Sequence, residues 1–488
     1  MKLAVIGGGS TYTPELVDGI ARLSTDVKVE ELVLVDPDET RLSVVGPVSS
    51  RIMRAYGHPA QLTWTTSLDD GLAGAGGVLL QLRVGGQAAR QRDETWPLEY
   101  GCIGQETTGA GGLAKALRTV PVVLDIAERA QRRSLPSAWI IDFTNPVGIV
   151  TRALLDAGHR ALGLCNVAIG FQRHFAAMVG ADPSRVMLDH VGLNHLTWER
   201  AAIVDGVDVL PGLIAAHGDE VAEHTGLPAA VMHDLGAVPS YYLHYFYEHD
   251  AVVERQRHEP TRAEEVARLE RELLAAYADP ALAHKPEMLS QRGGAFYSEA
   301  AVALLASLVG DAGDVQVVNL RNQGTMPFLP DEAVIEVPAA IGAAGAVAVP
   351  VAPLPPLMAG LVGHVSAYEG LALDAALRGG RKRVADAQLQ QHRAGAVQAV
   401  VKAGGPGQPA RVAVRPHKPV GERADDRQPG LVRVDQDQFL DRHVGGQPGD
   451  AVDKLGRVGG PAADNRELHA ATPLCPAGRR ATARVPHG

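Results

Sequence analysis

The chain has 488 residues, enough for two or three domains with cores of their own, and a formal net charge of −10. That balance argues against a general nucleic-acid binder or a binder of anionic membranes. Three cysteines, Cys102, Cys165 and Cys475, are too few for a disulfide framework. The uncharged stretch 337–363 is broken by prolines and rich in Gly and Ala, which argues against a spanning helix.

MKLAVIGGG opens directly as a strand, without the layout of a signal peptide, so a cytoplasmic location is expected. Residues 1–165 then alternate strand-like and helix-like patterns. KLAVI reads as a buried strand. TPELVDGIARL reads as a helix with Thr13 as N-cap and Pro14 at the first helical position. Its apolar residues Leu16, Val17, Ile20 and Leu23 share one face. ELVLVD, GVLLQLRV and AWIIDFTNP are the next strands. This β-α-β alternation predicts a Rossmann-like, doubly wound parallel sheet in an α/β domain.

VIGGGSTYTPE follows the first strand and opens the helix. Gly7, Gly8 and Gly9, followed by Ser10, would let the backbone approach a pyrophosphate at the helix N-terminus. Tyr12 stands where a third glycine is usual, so the loop alone also fits an ordinary tight turn. Asp36 ends the second strand, where a carboxylate can bind the ribose hydroxyls of NAD and repel the extra phosphate of NADP. Its other reading is a turn former in VDPDE.

Residues 166–380 are mixed and read as a second α+β domain. SEAAVALLASLVG and EEVARLERELLAAYAD are helices, and DVQVVNL is a strand. Cys165 follows the strand-like ALGL, near a strand's carboxyl end, where open α/β sheets hold ligands. His195 lies downstream in VGLNHLTW. A thiolate and an imidazole suit Mn, Fe, Co, Ni or Zn, and two protein ligands leave positions open for substrate oxygens. Taken alone, each residue fits a core cysteine and a hydrogen-bonded histidine equally well.

IGGGSTYTPELV, RVGGQAARQRDE, YGCIGQETTGAGG, DFTNPVGIVT, GLCNVAIG, VGLNH and RGGAFYSEAA occur together and in order. As a set they resemble glycoside hydrolase family 4, the NAD- and metal-dependent 6-phospho-glycosidases, over residues 1 to about 380. The resemblance implies that Cys165 and His195 hold a divalent metal, Mn²⁺. It implies that Arg90 and Asn145 contact the sugar, with Asn166, beside the metal cysteine, and Arg292 as further substrate contacts. Tyr242 matches the family's catalytic tyrosine, with Tyr241 and Tyr245 close enough to leave the register open. Glu106 would lie near that tyrosine and raise its basicity. The implied chemistry removes a hydride from sugar C3 onto NAD, abstracts the C2 proton, eliminates the C1 oxygen, adds water and returns the hydride. Charge from the metal and from arginine must then lower the pKa of the tyrosine.

The Cys165–Asn166 pair resembles the 6-phospho-β-glucosidase branch, with a phosphorylated disaccharide such as cellobiose 6-phosphate as substrate. The α-branch typically carries Cys-Asp there. A 6-phospho-α-glucosidase, an NAD-dependent hydroxy-acid dehydrogenase and a catalytically inert NAD-binding protein remain as alternatives. Ala168 stands where relatives usually carry proline. Residues 381–488 turn to Arg, Gly, Gln and Pro with one aromatic, Phe439. They are expected to form a disordered tail, read as a shifted reading frame that replaces the family's C-terminal helices. A homo-oligomer, dimer or tetramer, is expected if the C-terminus is intact.

Overall fold

The computed structural model describes residues 1–23, 27–294 and 296–396, and the short segments 400–402 and 411–413. All of these lie in one compact unit, Met1–His417. Six strands build its first half: β1 (Lys2–Ile6), β2 (Glu31–Val35), β3 (Gln61–Thr65), β4 (Gly77–Leu80), β5 (Trp139–Asp142) and β6 (Ala161–Gly163). They pair in parallel in the order β3-β2-β1-β4-β5-β6, the doubly wound arrangement expected from the alternation. Leu3, Val5, Leu32 and Leu34 pack into one core, and Ala4, Ile6, Val33 and Val35 into another. Both faces of the sheet are therefore buried, which is why these strands read as unbroken apolar runs.

The second half adds β7 (Val186–Leu193), β8 (Leu196–Val204), β9 (Val207–Asp208), β10 (Val238–Pro239), β11 (Asp314–Arg321), β12 (Val334–Gly342) and β13 (Gly345–Ala348). These do not form a sheet of their own. β11 pairs antiparallel with β6 through Asn319 and Gly163, β12 follows β11, and β7 joins β12 through Glu336 and Gly192. The result is a single sheet of 13 strands among the described residues. The helix Pro356–Arg378 sends Tyr368, Ala372 and Leu373 into the same core as Ala4 and Val33. The two sequence segments thus share both sheet and core.

Three local features differ from the reading of the sequence. β3 passes unnoticed in sequence because QLTWT is a half-exposed edge strand with no apolar run. The first helix, Thr13–Arg22, is preceded by Tyr12 at the N-cap, one residue earlier than expected. Thr13 lies inside it, and its hydroxyl accepts from Gln81 Nε2 at 2.8 Å rather than capping the helix. Residues Arg381–Ala396, placed in the irregular tail, form a helix that packs on Pro356–Arg378 and buries Ala387. Val400–Lys402 and Arg411–Ala413 pair as two short strands. The rest of the expected disordered or frame-shifted tail, including Cys475, lies outside the described residues. No described helix is long and apolar enough to cross a membrane.

Candidate active site

The glycine loop sits at the carboxyl end of β1, where the strand order reverses and open α/β sheets leave a crevice. The amides of Gly7 and Gly8 both donate to Val35 O, at 2.8 and 2.9 Å, which folds the loop back over β2. Gly7 has φ +87°, and a Cβ there would stand 2.8 Å from Gln81 O. A Cβ on Gly8 would meet Leu34 Cβ at 2.7 Å. Both positions therefore need glycine for the loop to close. Asp36 accepts from the Gly9 amide at 3.0 Å and from the Asp38 amide at 3.0 Å. Burial raises the Asp36 carboxyl above its ordinary range, and those two amides oppose the rise. Tyr12, in the place of the third glycine, donates to Gly294 O at 2.7 Å and ties the loop to the chain before Tyr297.

Arg292 reaches the same loop. It donates to Thr11 Oγ1 at 2.7 Å, to Ser10 Oγ at 3.3 Å and to Glu270 at 3.2 Å. Its guanidinium thus spans the nucleotide loop and a carboxylate that the sequence did not single out. Arg90 lies between Glu94, at 2.6 Å, and Glu106, at 3.2 Å. Glu106 also pairs with Lys115 at 2.7 Å and with Arg83. Burial alone would raise the Glu106 carboxyl, but Arg83, Lys115 and Arg90 hold it well below its ordinary range. Burial brings Lys115 down to about 8 in spite of Glu106.

Cys165 and His195 are both buried. Cys165 follows β6 and is 6% exposed; His195 is 4% exposed. Burial, and then the charge of Glu336, push the Cys165 thiol well above its ordinary range. His195 occupies the tight turn between β7 and β8 with φ +64°, a left-handed conformation that is uncommon for non-glycine residues. Burial lowers its imidazole to about 4, so the ring is neutral near pH 7. Its Nδ1 lies 3.1 Å from Thr107 Oγ1. The Tyr242 ring stacks on His195 at 3.6 Å, only 12° from parallel, and Tyr241 and Tyr245 follow at 4.8 and 6.3 Å from Tyr242. Tyr245 is engaged elsewhere, by Gln105 Nε2 at 3.0 Å. Cys165 interacts with Asn194, and Tyr242 packs against the apolar cluster that includes Cys165.

Glu106 acts on His195 and on its three cations, and the groups that shift Tyr242 are burial, Tyr241, Cys165, Tyr297 and Tyr245. Those groups raise the Tyr242 phenol well above its ordinary value, so the lowering that the resemblance implies falls to the charge of a bound metal. Asn145, just after β5, keeps its Oδ1 buried without a hydrogen-bond partner among the described residues, an orphaned acceptor. Asn166 occupies the N-cap position of the helix Val167–Val179.

Behind the turn, Glu336 accepts from Asn194 at 2.9 Å and Asn319 at 2.8 Å, and its other oxygen lies 3.0 Å from His190 Nε2. His190 Nδ1 lies 2.6 Å from Glu199. Burial disfavours the charged imidazolium, yet Glu199 and Glu336 outweigh it and lift His190 to about 10. Sequence reasoning missed this cluster, although a lone glutamate inside the apolar strand VIEVPAA was a visible signal. It also missed Arg83, Lys115 and Glu270. A neutral imidazole and a buried thiol fit a borderline-soft divalent cation. Among the described residues no group of three or more His, Cys, Asp or Glu side chains could enclose a metal, so a cation held by Cys165 and His195 would keep open positions.

A glycine loop at the switch point of a doubly wound sheet, with a buried imidazole stacked on a tyrosine and a cluster of paired charges, is the layout of an α/β enzyme that binds a dinucleotide. The chain belongs to the family 4 glycosyl hydrolases: the family's sequence model matches residues 2–181, and that of its C-terminal domain matches residues 190–392. The match runs past residue 380, where the sequence reading had placed its end, and includes most of the helix Arg381–Ala396. A probable 6-phospho-β-glucosidase of Bacillus subtilis is 39% identical over 394 residues, 78% of this chain and 89% of that protein. A phospho-α-glucosidase of Clostridium acetobutylicum is 27% identical over 79% of this chain and 92% of its own length. The structure of the Thermotoga maritima 6-phospho-β-glucosidase with manganese, NAD⁺ and glucose 6-phosphate superposes with a TM-score of 0.75 at 32% identity, covering 80% of this chain and 93% of that one.

Proposed function

We propose that the protein hydrolyses 6-phospho-β-glucosides such as cellobiose 6-phosphate, with NAD as a recycled cofactor and Mn²⁺ as the metal. The observation that carries this reading is the stack of Tyr242 on the buried His195, which brings the proposed base against a proposed metal ligand. When bound, NAD would supply the hydride acceptor and donor, and the metal would supply Lewis-acid charge beside the tyrosine. Cys165 Sγ and His195 would hold that cation. Gly7, Gly8, Gly9 and Ser10 cradle the pyrophosphate, and Asp36 binds the ribose. Arg90, Asn145, Asn166 and Arg292 bind the phosphorylated sugar, and the orphaned Asn145 Oδ1 accepts one of its hydroxyls. Tyr242 Oη takes the C2 proton, and Glu106, neutralised by Arg83, Arg90 and Lys115, fixes the cations that line the sugar's path. The proposed location is the cytoplasm, where a phosphorylated sugar is retained because it does not cross a bilayer unaided.

The β-specificity rests on the greater identity to the β-glucosidase and on Asn166 next to Cys165. Parallel assays with the β- and α-linked p-nitrophenyl glucoside 6-phosphates test it. Faster turnover of the β-linked compound is expected, and preference for the α-linked one would reverse the assignment.

A further inference from the structure

We propose that Gln105 and Thr107 form a hydrogen-bond relay that fixes the tautomer of His195, leaving Nε2 as the nitrogen free to bind a cation. The argument follows donors and acceptors one at a time. The Thr107 backbone N–H can only donate, and it lies 2.9 Å from Gln105 Oε1. That contact sets the amide orientation: the oxygen faces Thr107, and Gln105 Nε2 faces the Tyr245 hydroxyl at 3.0 Å. Gln105 Oε1 can only accept, so the Thr107 hydroxyl, 3.2 Å away, must donate to it. The Thr107 oxygen is then left as an acceptor toward His195 Nδ1 at 3.1 Å. His195 Nδ1 therefore carries the proton. In the neutral ring the lone pair resides on Nε2.

The relay is anchored on both sides. Gly104 donates to Gln256 Oε1 at 2.9 Å and accepts from Gln256 Nε2 at 3.0 Å, which pins the loop before Gln105 to the helix His249–Gln256. Tyr242 stacks on the His195 ring and restricts its rotation. The opposite tautomer would need the Thr107 hydroxyl to turn toward Nδ1, which would strip Gln105 Oε1 of one of its two donors. Gln105 and Thr107 are thus positioning residues. They act on substrate only through His195, as outer partners do at other metal-binding histidines.

This inference rests on the reading of His195 as a metal ligand, and the test separates the two. Long-range ¹H–¹⁵N correlation spectra of the metal-free, full-length protein, with His195 assigned by its loss in His195→Gln, report the tautomer directly. A protonated Nδ1 and a bare Nε2 are expected. A protonated Nε2 would overturn the relay whatever the metal does. Mn²⁺ affinity is then measured by electron paramagnetic resonance of the free ion. Thr107→Val, which keeps the shape and removes the hydroxyl, should weaken Mn²⁺ binding about 10–100-fold. NAD affinity should be unchanged, and Thr107→Ser should restore tight Mn²⁺ binding. Wild-type affinity in Thr107→Val would overturn the relay. Mn²⁺ binding that ignores His195→Ala would instead overturn the metal reading, and the relay's purpose with it. If Thr107→Val fails to fold, the wild-type tautomer still decides.

Discussion

Cys165 and His195 are common residue types whose surroundings make them unusual. Burial keeps the imidazole neutral and the thiol protonated, so a cation must displace the thiol proton as it binds. Cys165→Ser and His195→Ala should each abolish turnover while NAD binding persists. The check is turnover after chelation and Mn²⁺ readdition, alongside fluorescence titration with NADH. Activity equal to wild type in either variant would remove that residue from the ligand set. Tyr242→Phe keeps the ring that stacks on His195 and removes only the ionisable oxygen. Turnover should fall by about 10²–10⁴-fold, the usual contribution of a positioned acid or base. With native enzyme in D₂O, deuterium should enter C2 of the product, and the Phe variant should lose that incorporation. Unchanged turnover would move the proton transfer to Tyr241 or beyond.

At the scale of elements, the hairpin β7–β8 and strand β12 hold the His195 turn in place through the buried Glu199–His190–Glu336 cluster. His190→Ala leaves two buried carboxylates without their partner. It should cost about 3–5 kcal/mol of stability, read by urea denaturation. The sign of the pH dependence follows from the raised pKa. The folded-state value of about 10 lies above the ordinary 6.5, so the cluster's contribution is complete below 6.5 and is lost as the pH rises toward 10. Wild-type stability should therefore fall over that window more steeply than that of His190→Ala, and parallel curves would contradict the pairing. The sequence made the strands legible where burial on both faces left unbroken apolar runs, as in KLAVI and ELVLV. It hid β3, whose half-exposed residues carry no such run, and it hid every partner of a buried charge. Glu106, Lys115 and Arg83 meet through tertiary packing that no local spacing encodes.

For the molecule as a whole, the order β3-β2-β1-β4-β5-β6 followed from the alternation of strands and helices. The continuation of that sheet through single-residue pairings at Gly163–Asn319 and Gly192–Glu336 did not, because such contacts leave no periodic trace. The candidate site was legible as a list of motifs, and the motifs named Cys165, His195 and Tyr242. Their geometry was not: the stack on His195, the Arg292 bridge to Ser10 and Thr11, and the cations around Glu106 all join distant parts of the chain. The helix Arg381–Ala396 was obscured by a polar composition that gives its amphipathic face little contrast.

The central claim is that one crevice couples a redox cofactor to a hydrolysis with no net redox change. It is tested most directly by following p-nitrophenyl β-glucoside 6-phosphate with purified protein stripped of cofactor and metal, while recording nitrophenol release and absorbance of NADH together. Nitrophenol should appear only when NAD and Mn²⁺ are both restored, with no NADH accumulating as turnover proceeds. Hydrolysis without NAD, or NADH formed in step with substrate consumed, would contradict the account.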